Sequence, residues 1–519
     1  MPRTKAPSPA RVHDPAYGPL VTSFWIAAVI STLVGLTTQA SLVALTCVTV
    51  SATLLGETVL KDYILSCDPF RPRSVAAAFL YFFLPITAWA FLIKGNSPES
   101  LPPPLDWEGS LKSLLIVYTI GTLGYRLAMT QSPSRESRSL TGEPQGNCAP
   151  LLIETSYALE CAARKLAWLA LGSLCVYGLV VLRAGGLNAY LGSILDRATR
   201  VQTLEGMGFL LVLAEAWPML FTLSLACRRL STGQAVSWRF VLYLAIIFAL
   251  LQFGVGGLRG SRANTIWPFI IVLGIVHCAM HRVSRVAMVI AGTVATLFAF
   301  VYGIYKASGV DVVLGMTSTA GRQLAVEASG RGGDVVFFED LGRLGIQTVV
   351  LDALASPTHA ALNPPFGLPS YVGDLIFMLP SGARPKGTEL WSKSEYGTEL
   401  LYGGNSLATG TESTRIFGLV GEAMLNWGLI ALPIAFIFFG LLVKWLDRFY
   451  ATALASGLLE NRLVAGSFGA VVIVVFVQDL DNVAWFAIKY LVPVFIAFIL
   501  IRRYRRTGDR HVSSQPAAR

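Results

Sequence analysis

The sequence predicts an all-α protein that crosses a membrane many times, and three observations support this prediction. Hydrophobic residues make up 54% of the 519 residues, charged residues make up only 14%, and the mean hydropathy is +0.59. Apolar runs of about 17 to 25 residues recur along the whole chain, which is the helical length that crosses a hydrocarbon core of about 30 Å. Lys and Arg residues concentrate in alternate connections between these runs.

The hydropathy pattern predicts about twelve membrane spans. They lie at residues 20–36, 40–60, 75–93, 111–128, 166–182, 207–226, 240–256, 264–280, 286–305, 416–443, 463–478 and 484–501. This gives an N-terminal membrane region, 1–305, with about nine helices, and a C-terminal membrane region, 416–519, with about three helices and a basic tail. A long loop, 306–415, separates the two regions.

The Lys and Arg residues of the short connections lie on the same side as both termini. The positive-inside rule therefore places both termini in the cytoplasm and the long loop outside. The net charge of +10 then reflects membrane topology and predicts no nucleic-acid partner. The seven cysteines have no CxxC spacing, so neither a disulfide framework nor a zinc site is expected.

Three segments are predicted to face outward. Residues 187–204 repeat apolar side chains at three- and four-residue spacing, which indicates an amphipathic helix lying on the outer leaflet. The short turn "LRGSRAN", 258–264, joins two apolar runs. The long loop is expected to contain short helices, one of which carries Glu339, Arg343 and Gln347 along a solvated face.

The motifs of nucleotide and metal chemistry are absent from the sequence. It contains no GxxxxGK[ST], GxGxxG, HExxH or GxSxG, so neither a nucleotide nor a metal cofactor is predicted. Asp479 and Asp481 form a DxD-like triplet, but a polar turn between two helices explains this triplet better than a metal site does.

Four arginines near the predicted outer surface are candidates for binding a diphosphate. Arg197 and Arg200 lie on the amphipathic helix, and Arg259 and Arg262 lie in the glycine-rich turn. A guanidinium group stays charged and binds phosphate through two parallel hydrogen bonds. The alternative is that these arginines anchor the protein to phospholipid headgroups.

Two acids lie within predicted spans. Glu215 comes three residues before Pro218, and Glu422 lies early in "IFGLVGEAMLNWG". A carboxyl at membrane depth faces a protein interior or a wet cavity, so each is either a site residue or part of a hydrogen bond between helices. No spacing identifies a catalytic base. The candidates are Glu422, Glu339 and His359, the one histidine predicted to lie outside.

Three stretches resemble the bacterial oligosaccharide repeat-unit polymerases, also called O-antigen or Wzy-type polymerases. They are "GGLRGSRANTIWPFIIVL", "FGLPSYVGDLIFMLPSGARPKG" and "TRIFGLVGEAMLNWGLIALPIAFIFFG". The resemblance implies a GT-C-like glycosyltransferase of the bacterial inner membrane. Both donor and acceptor would be polyprenyl-diphosphate-linked oligosaccharides, used without nucleotide or metal.

The resemblance also implies roles for particular residues and for partners. Arg259 and Arg262, helped by Arg197 or Arg200, would bind the departing diphosphate, and Glu422 and Asn426 would shape the cavity. Membrane lipids, a chain-length regulator and a flippase of the same pathway would be partners. The alternatives left open are a ligase or other lipid-linked glycan transferase, a transporter or flippase of lipid-linked glycans, and a purely structural membrane component.

Overall fold

A computed structural model describes residues 17–62, 68–98, 101–130, 156–195, 207–258, 262–308, 310–316, 318–329, 332–333, 335–355, 367–376, 393–402 and 415–513. These residues contain many helices and no strand. In chain order the α-helices are α1 (Tyr17–Thr37), α2 (Leu42–Val59), α3 (Pro72–Tyr81), α4 (Thr87–Lys94), α5 (Trp107–Thr130), α6 (Ser156–Arg183), α7 (Leu187–Leu195), α8 (Gly208–Ala214), α9 (Trp217–Ser231), α10 (Trp238–Gln252), α11 (Ala263–Ile275), α12 (Arg285–Ser308), α13 (Val310–Gly315), α14 (Thr319–Ser329), α15 (Leu344–Leu354), α16 (Leu368–Ile376), α17 (Lys393–Leu401), α18 (Gly418–Trp427), α19 (Ala431–Ala455), α20 (Leu459–Val477), α21 (Leu480–Phe486) and α22 (Val492–Ser513).

Within these described ranges, 10 helical stretches are long and apolar enough to cross a membrane, so the protein is a multi-pass membrane protein. They are α1, α2, α3 with α4, α6, α8 with α9, α10, α11, α12, α20, and α21 with α22. The two other predicted spans, 111–128 and 416–443, are not among these ten stretches. The first lies on α5, with 24 residues, and the second covers α18 and the first part of α19, with 25 residues.

Several spans change their helical winding partway through. Pro85 lies in the π-helical segment Phe82–Ile86 between α3 and α4, where the wider turn accommodates a residue that has no backbone N–H. Further π-helical segments, Phe253–Gly257, Val276–Met280 and Ala487–Leu491, end α10, extend α11 and join α21 to α22. Such segments are frequent at functional sites.

The two ends of the helix bundle are distinguished by the contacts made there. We call the end where α11 begins and α20 ends the upper end, and the end where α2 ends and α3 begins the lower end. At the lower end Arg71 binds Asp447 through two hydrogen bonds of 2.8 and 2.9 Å. There Glu460 also pairs with Arg505 at 2.8 Å, which ties α20 to α22.

Small residues bring neighbouring helices into close contact. A Cβ atom on Gly274 of α11 would lie 2.0 Å from the carbonyl oxygen of Gly466 in α20. A Cβ atom on Gly121 of α5 would lie 2.5 Å from the Phe436 ring in α19. Dispersion forces and close backbone approach hold such crossings together, because a lipid environment gives little hydrophobic drive for helix association.

The C-terminal membrane region differs from the prediction at its first span. The predicted span 416–443 is two helices, α18 and α19, and Gly428 separates them with φ 71° and ψ −166°. Only glycine occupies this backbone region readily, so the chain turns there instead of continuing as one helix.

Of the predicted outer segments, one is described in part and another needs correction. The amphipathic helix 187–204 is described as α7 as far as residue 195, and Tyr190 on it is fully buried. The helix expected around Glu339, Arg343 and Gln347 is a π-helical segment, Val335–Leu341, followed by the separate helix α15. Gln347 is buried in contact with α5 and α18, so the prediction of a solvated face was wrong.

Candidate active site

Four buried charged side chains come together at the upper end of the bundle, and each comes from a different segment. They are Asp374 in α16, Lys393 at the start of α17, Glu422 in α18 and Asp479 between α20 and α21. Each has an exposed fraction of 2% or less. We call these four residues the carboxyl–lysine cluster.

Asp479 holds the beginning of α18 in place. Its Oδ1 accepts hydrogen bonds from the backbone N–H groups of Phe417, at 3.0 Å, and Gly418, at 2.8 Å. A helix leaves its first N–H groups without partners inside the helix, so a carboxyl of another segment satisfies them here. Gly418 has φ 73°, and a Cβ atom there would lie 2.7 Å from the Phe476 carbonyl oxygen, so a side chain would disturb this contact.

Glu422 ties α18 to the start of α21 and lies beside a second acid. Its Oε2 accepts a hydrogen bond of 3.1 Å from the backbone N–H of Leu480. Its Oε1 is buried and receives no hydrogen bond from an N–H or O–H group. The neighbouring acid is Asp374, and two carboxyls can hydrogen-bond to each other only when one of them carries a proton.

Burial and mutual repulsion raise the pKa values of the acids in the cluster. Burial, followed by the charges of Asp479 and Asp374, raises the pKa of Glu422 well above its ordinary value. Burial raises the pKa of Asp374 to about 6, although its interactions with Glu422 and Lys393 oppose the shift. Burial, with a contribution from the charge of Asp481, raises the pKa of Asp479 to about 8.

Lys393 is the cation of the cluster. Burial lowers the pKa of its ammonium to about 8, while the charges of Asp374 and Glu422 act in the opposite direction. The ammonium also lies 5.4 Å from the centre of the Tyr396 ring. At neutral pH these pKa values leave Asp374 largely ionised beside a largely protonated Lys393.

Asn426 fixes α16 against α18, one turn after Glu422. Its Oδ1 accepts hydrogen bonds from the Ser370 hydroxyl, at 2.8 Å, and from the Gly367 backbone N–H, at 3.1 Å. Its Nδ2 donates to the Glu422 carbonyl oxygen at 3.2 Å. Asn426 therefore positions the helix that carries Asp374 relative to the helix that carries Glu422.

Helix α15 supports α18 from within the bundle. The Gln347 side chain donates to the Phe417 carbonyl oxygen at 2.9 Å and accepts a hydrogen bond from the hydroxyl of Tyr118, midway along α5. Arg343, at the start of α15, donates to the Val477 carbonyl oxygen at 3.4 Å and favours the charged form of Asp479. Part of the predicted loop is thus built into the membrane region.

Two of the predicted site residues, Glu422 and Asn426, lie in this site, and the other described ones lie elsewhere. Glu215 is fully buried, with its Oε2 2.7 Å from the Nζ of Lys489. Glu339 pairs with Lys94 at 3.6 Å. Arg262 lies at the start of α11, with its Nη1 3.4 Å from the Ala299 carbonyl oxygen in α12.

The remaining predicted site residues lie outside the described residues. They are Arg197, Arg200, Arg259 and His359. Whether the four arginines converge on one diphosphate therefore stays a prediction.

Asp374 and Lys393 were missed by sequence reasoning. Asp374 is the one charged residue in the apolar stretch "LPSYVGDLIFMLP", and that isolation was the available signal. A carboxyl in an otherwise apolar helix needs a polar partner where it is buried, and Asp374 is 1% exposed. Lys393 has no comparable signal, because "ELWSKSEYGTEL" resembles an ordinary exposed loop.

Among the described residues, no group of three or more His, Cys, Asp or Glu side chains could hold a metal ion. The comparisons with known proteins add no further identification, since no family model, curated protein or solved structure matches the chain.

Proposed function

We propose that this protein is a glycosyltransferase that joins polyprenyl-diphosphate-linked oligosaccharide repeat units into a surface polysaccharide. In this proposal it is a GT-C-like protein of the bacterial inner membrane with about twelve spans. Both termini lie in the cytoplasm and the upper end of the bundle faces outward. The observation that supports the proposal most directly is the carboxyl–lysine cluster, because glycosyl transfer to a hydroxyl needs a base.

The proposed reaction uses the cluster for proton transfer. The acceptor hydroxyl oxygen forms a bond to the anomeric carbon of the donor sugar while the bond from that carbon to the diphosphate oxygen breaks. The ionised Asp374 takes the hydroxyl proton, and Glu422 lies beside Asp374 as its hydrogen-bond partner. The lipid diphosphate leaves with the electrons of the broken bond. A base with a pKa near the working pH serves such a step best.

Stabilising the departing diphosphate requires positive charge close to the leaving oxygen. Lys393 supplies one cation within the cluster. Arg262 lies at the same end of the bundle, because α11 and α20 run antiparallel and cross at Gly274 and Gly466. Arg259, Arg197 and Arg200 complete the proposed diphosphate site. Neither a nucleotide nor a metal takes part in the proposed reaction. A flippase would act before this protein, and a chain-length regulator would act together with it.

Reconstitution of the purified protein with lipid-linked repeat units tests the proposal. Asp374→Asn and Glu422→Gln should each lower the rate of polymer formation about 100-fold or more, the range lost with a general base. The matched control is Glu108→Gln, an exposed acid at the start of α5, which should keep full activity. Polymer formation at the unmodified rate by both cluster variants, with folding verified by thermal unfolding, would disprove the proposal.

A transporter of lipid-linked glycans is the second candidate, and one observation favours it. The helix is interrupted at Glu215, between α8 and α9. There Glu215 forms a buried pair with Lys489, which lies in the π-helical segment Ala487–Leu491. Interrupted helices around buried charges are typical of transporters. When the protein is reconstituted in lipid vesicles, movement of the unaltered repeat unit across the membrane would indicate a transporter. Longer glycans would indicate a polymerase, and transfer to a different acceptor would indicate a ligase.

A further inference from the structure

A cavity lined mostly by charged and hydroxyl-bearing residues lies at the lower end of the bundle, opposite the carboxyl–lysine cluster. Its volume is about 160 Å³, roughly ten times the 10–15 Å³ that one water molecule needs by the same measure. The ends of α2 and α5 and the start of α3 form its walls. Its lining residues are Thr58, Lys61, Asp62, Arg73, Tyr125, Arg126, Met129 and Thr130.

Positive charge exceeds negative charge around this cavity. Lys61, Arg73 and Arg126 supply three cations, whereas Glu57 and Asp62 supply two anions. Glu57 binds both Lys61 and Arg126, and Asp62 binds Arg73 at 2.5 Å. The two acids are buried and hold the three bases in fixed positions, so the bases are pre-organised for an anion that enters the cavity.

Two hydrogen-bond donors in the cavity wall have no partner. The hydroxyl of Tyr125, whose exposed fraction is 3%, makes no hydrogen bond, and neither does the buried Nε of Arg73. A buried donor without a protein partner can be satisfied by an acceptor oxygen of a ligand that reaches it. Arg126 also donates to the Thr58 hydroxyl oxygen at 3.0 Å, which leaves the Thr58 proton able to donate.

We propose that this cavity binds a phosphate group. The donors that line it are guanidinium, ammonium and hydroxyl groups, which match the several acceptor oxygens and the negative charge of phosphate. The same chemistry fits the headgroup phosphate of an anionic phospholipid and a free phosphate ion. The site lies at the end of the bundle remote from the carboxyl–lysine cluster, so it is independent of the proposed glycosyl transfer.

The test measures binding to the full-length protein, purified in a maltoside detergent and freed of lipid. One arm titrates inorganic phosphate against chloride at equal ionic strength, and the other adds phosphatidylglycerol, with diacylglycerol as the matched lipid that lacks phosphate. Thermal unfolding and native mass spectrometry report binding. Stabilisation by phosphatidylglycerol alone identifies a lipid headgroup as the ligand, and stabilisation by inorganic phosphate identifies a free ion.

Two variants test whether the named donors form the site. Arg73→Gln and Tyr125→Phe should each weaken binding about tenfold or more, the usual effect of losing a hydrogen bond to a charged group. Tyr125→Phe removes only an oxygen that has no protein partner, so the ligand-free protein should fold normally. The control is Arg164→Gln. This side chain lies in the first half of α6 and is 69% exposed. Absence of binding in both arms, or equal binding by Tyr125→Phe and the unmodified protein, would refute the site.

Discussion

The buried pair of Glu215 and Lys489 gives the sharpest stability prediction. Glu215 lies at the break between α8 and α9, and Lys489 lies in the π-helical segment that joins α21 to α22. Their side chains are 0% and 9% exposed, and the charged atoms are 2.7 Å apart. Each charge compensates the other in a buried position, so the two residues should be energetically coupled.

The structure sets the size of the expected effect. Glu215→Gln leaves a buried ammonium without its counter-charge, and Lys489→Met leaves a buried carboxyl. Removal of one partner of such a pair costs about 3–5 kcal/mol, whereas replacement of both partners is often close to neutral. The double variant should therefore be more stable than either single variant, although it carries more substitutions.

Thermal unfolding of the purified protein and these three variants in nanodiscs measures the coupling as a double-mutant cycle. Glu160→Gln serves as the control, because its side chain is 63% exposed and pairs with the exposed Arg164. That variant should change stability by less than about 0.5 kcal/mol. The reasoning fails if the effects of Glu215→Gln and Lys489→Met simply add in the double variant, or if neither single variant lowers the unfolding temperature.

Three further outcomes follow from features of the bundle. The initial rate of polymerisation should show a bell-shaped pH profile, which rises as Asp374 ionises through pH about 6 and falls as Lys393 loses its proton through pH about 8. In Lys393→Arg the initial rate should not fall above pH about 8. Gly428→Ala should lower the free energy of unfolding by about 1–3 kcal/mol, because φ 71° with ψ −166° strains any side chain. Gly172→Ala, at a helical position with open space, should be neutral or slightly stabilising in the same unfolding assay. Gly466→Ala should disrupt the crossing of α11 and α20 and lower the unfolding temperature, because its Cβ would lie 2.6 Å from backbone atoms; an unchanged temperature would contradict that contact.

The membrane fold could be predicted from sequence because its signal is strong and local. A run of about 20 apolar residues satisfies its own backbone hydrogen bonds as a helix, so hydropathy alone located the ten stretches that could cross a membrane. The break at Gly428 was missed, since glycine is common in membrane helices and its dihedral angles depend on the packing around it.

The candidate site was only partly predictable. Glu422 was predicted because a carboxyl within an apolar helix stands out against its neighbours, and Asn426 was predicted from the family resemblance. The cluster as a whole depends on contacts between residues far apart in the chain, such as the hydrogen bond from Gly418 to Asp479. Lys393 became a site residue only when folding buried it, and no local pattern of residues encodes that burial.

The hydrogen bonds from Phe417 and Gly418 to Asp479 also have a consequence for biosynthesis. Ribosomes make α16, α17 and α18 before Asp479, so the beginning of α18 lacks its acceptor until the turn after α20 has been synthesised and inserted. A nascent chain that has not yet inserted α20 and α21 therefore has no complete cluster. The cluster is therefore completed only after the earlier helices already lie in the membrane.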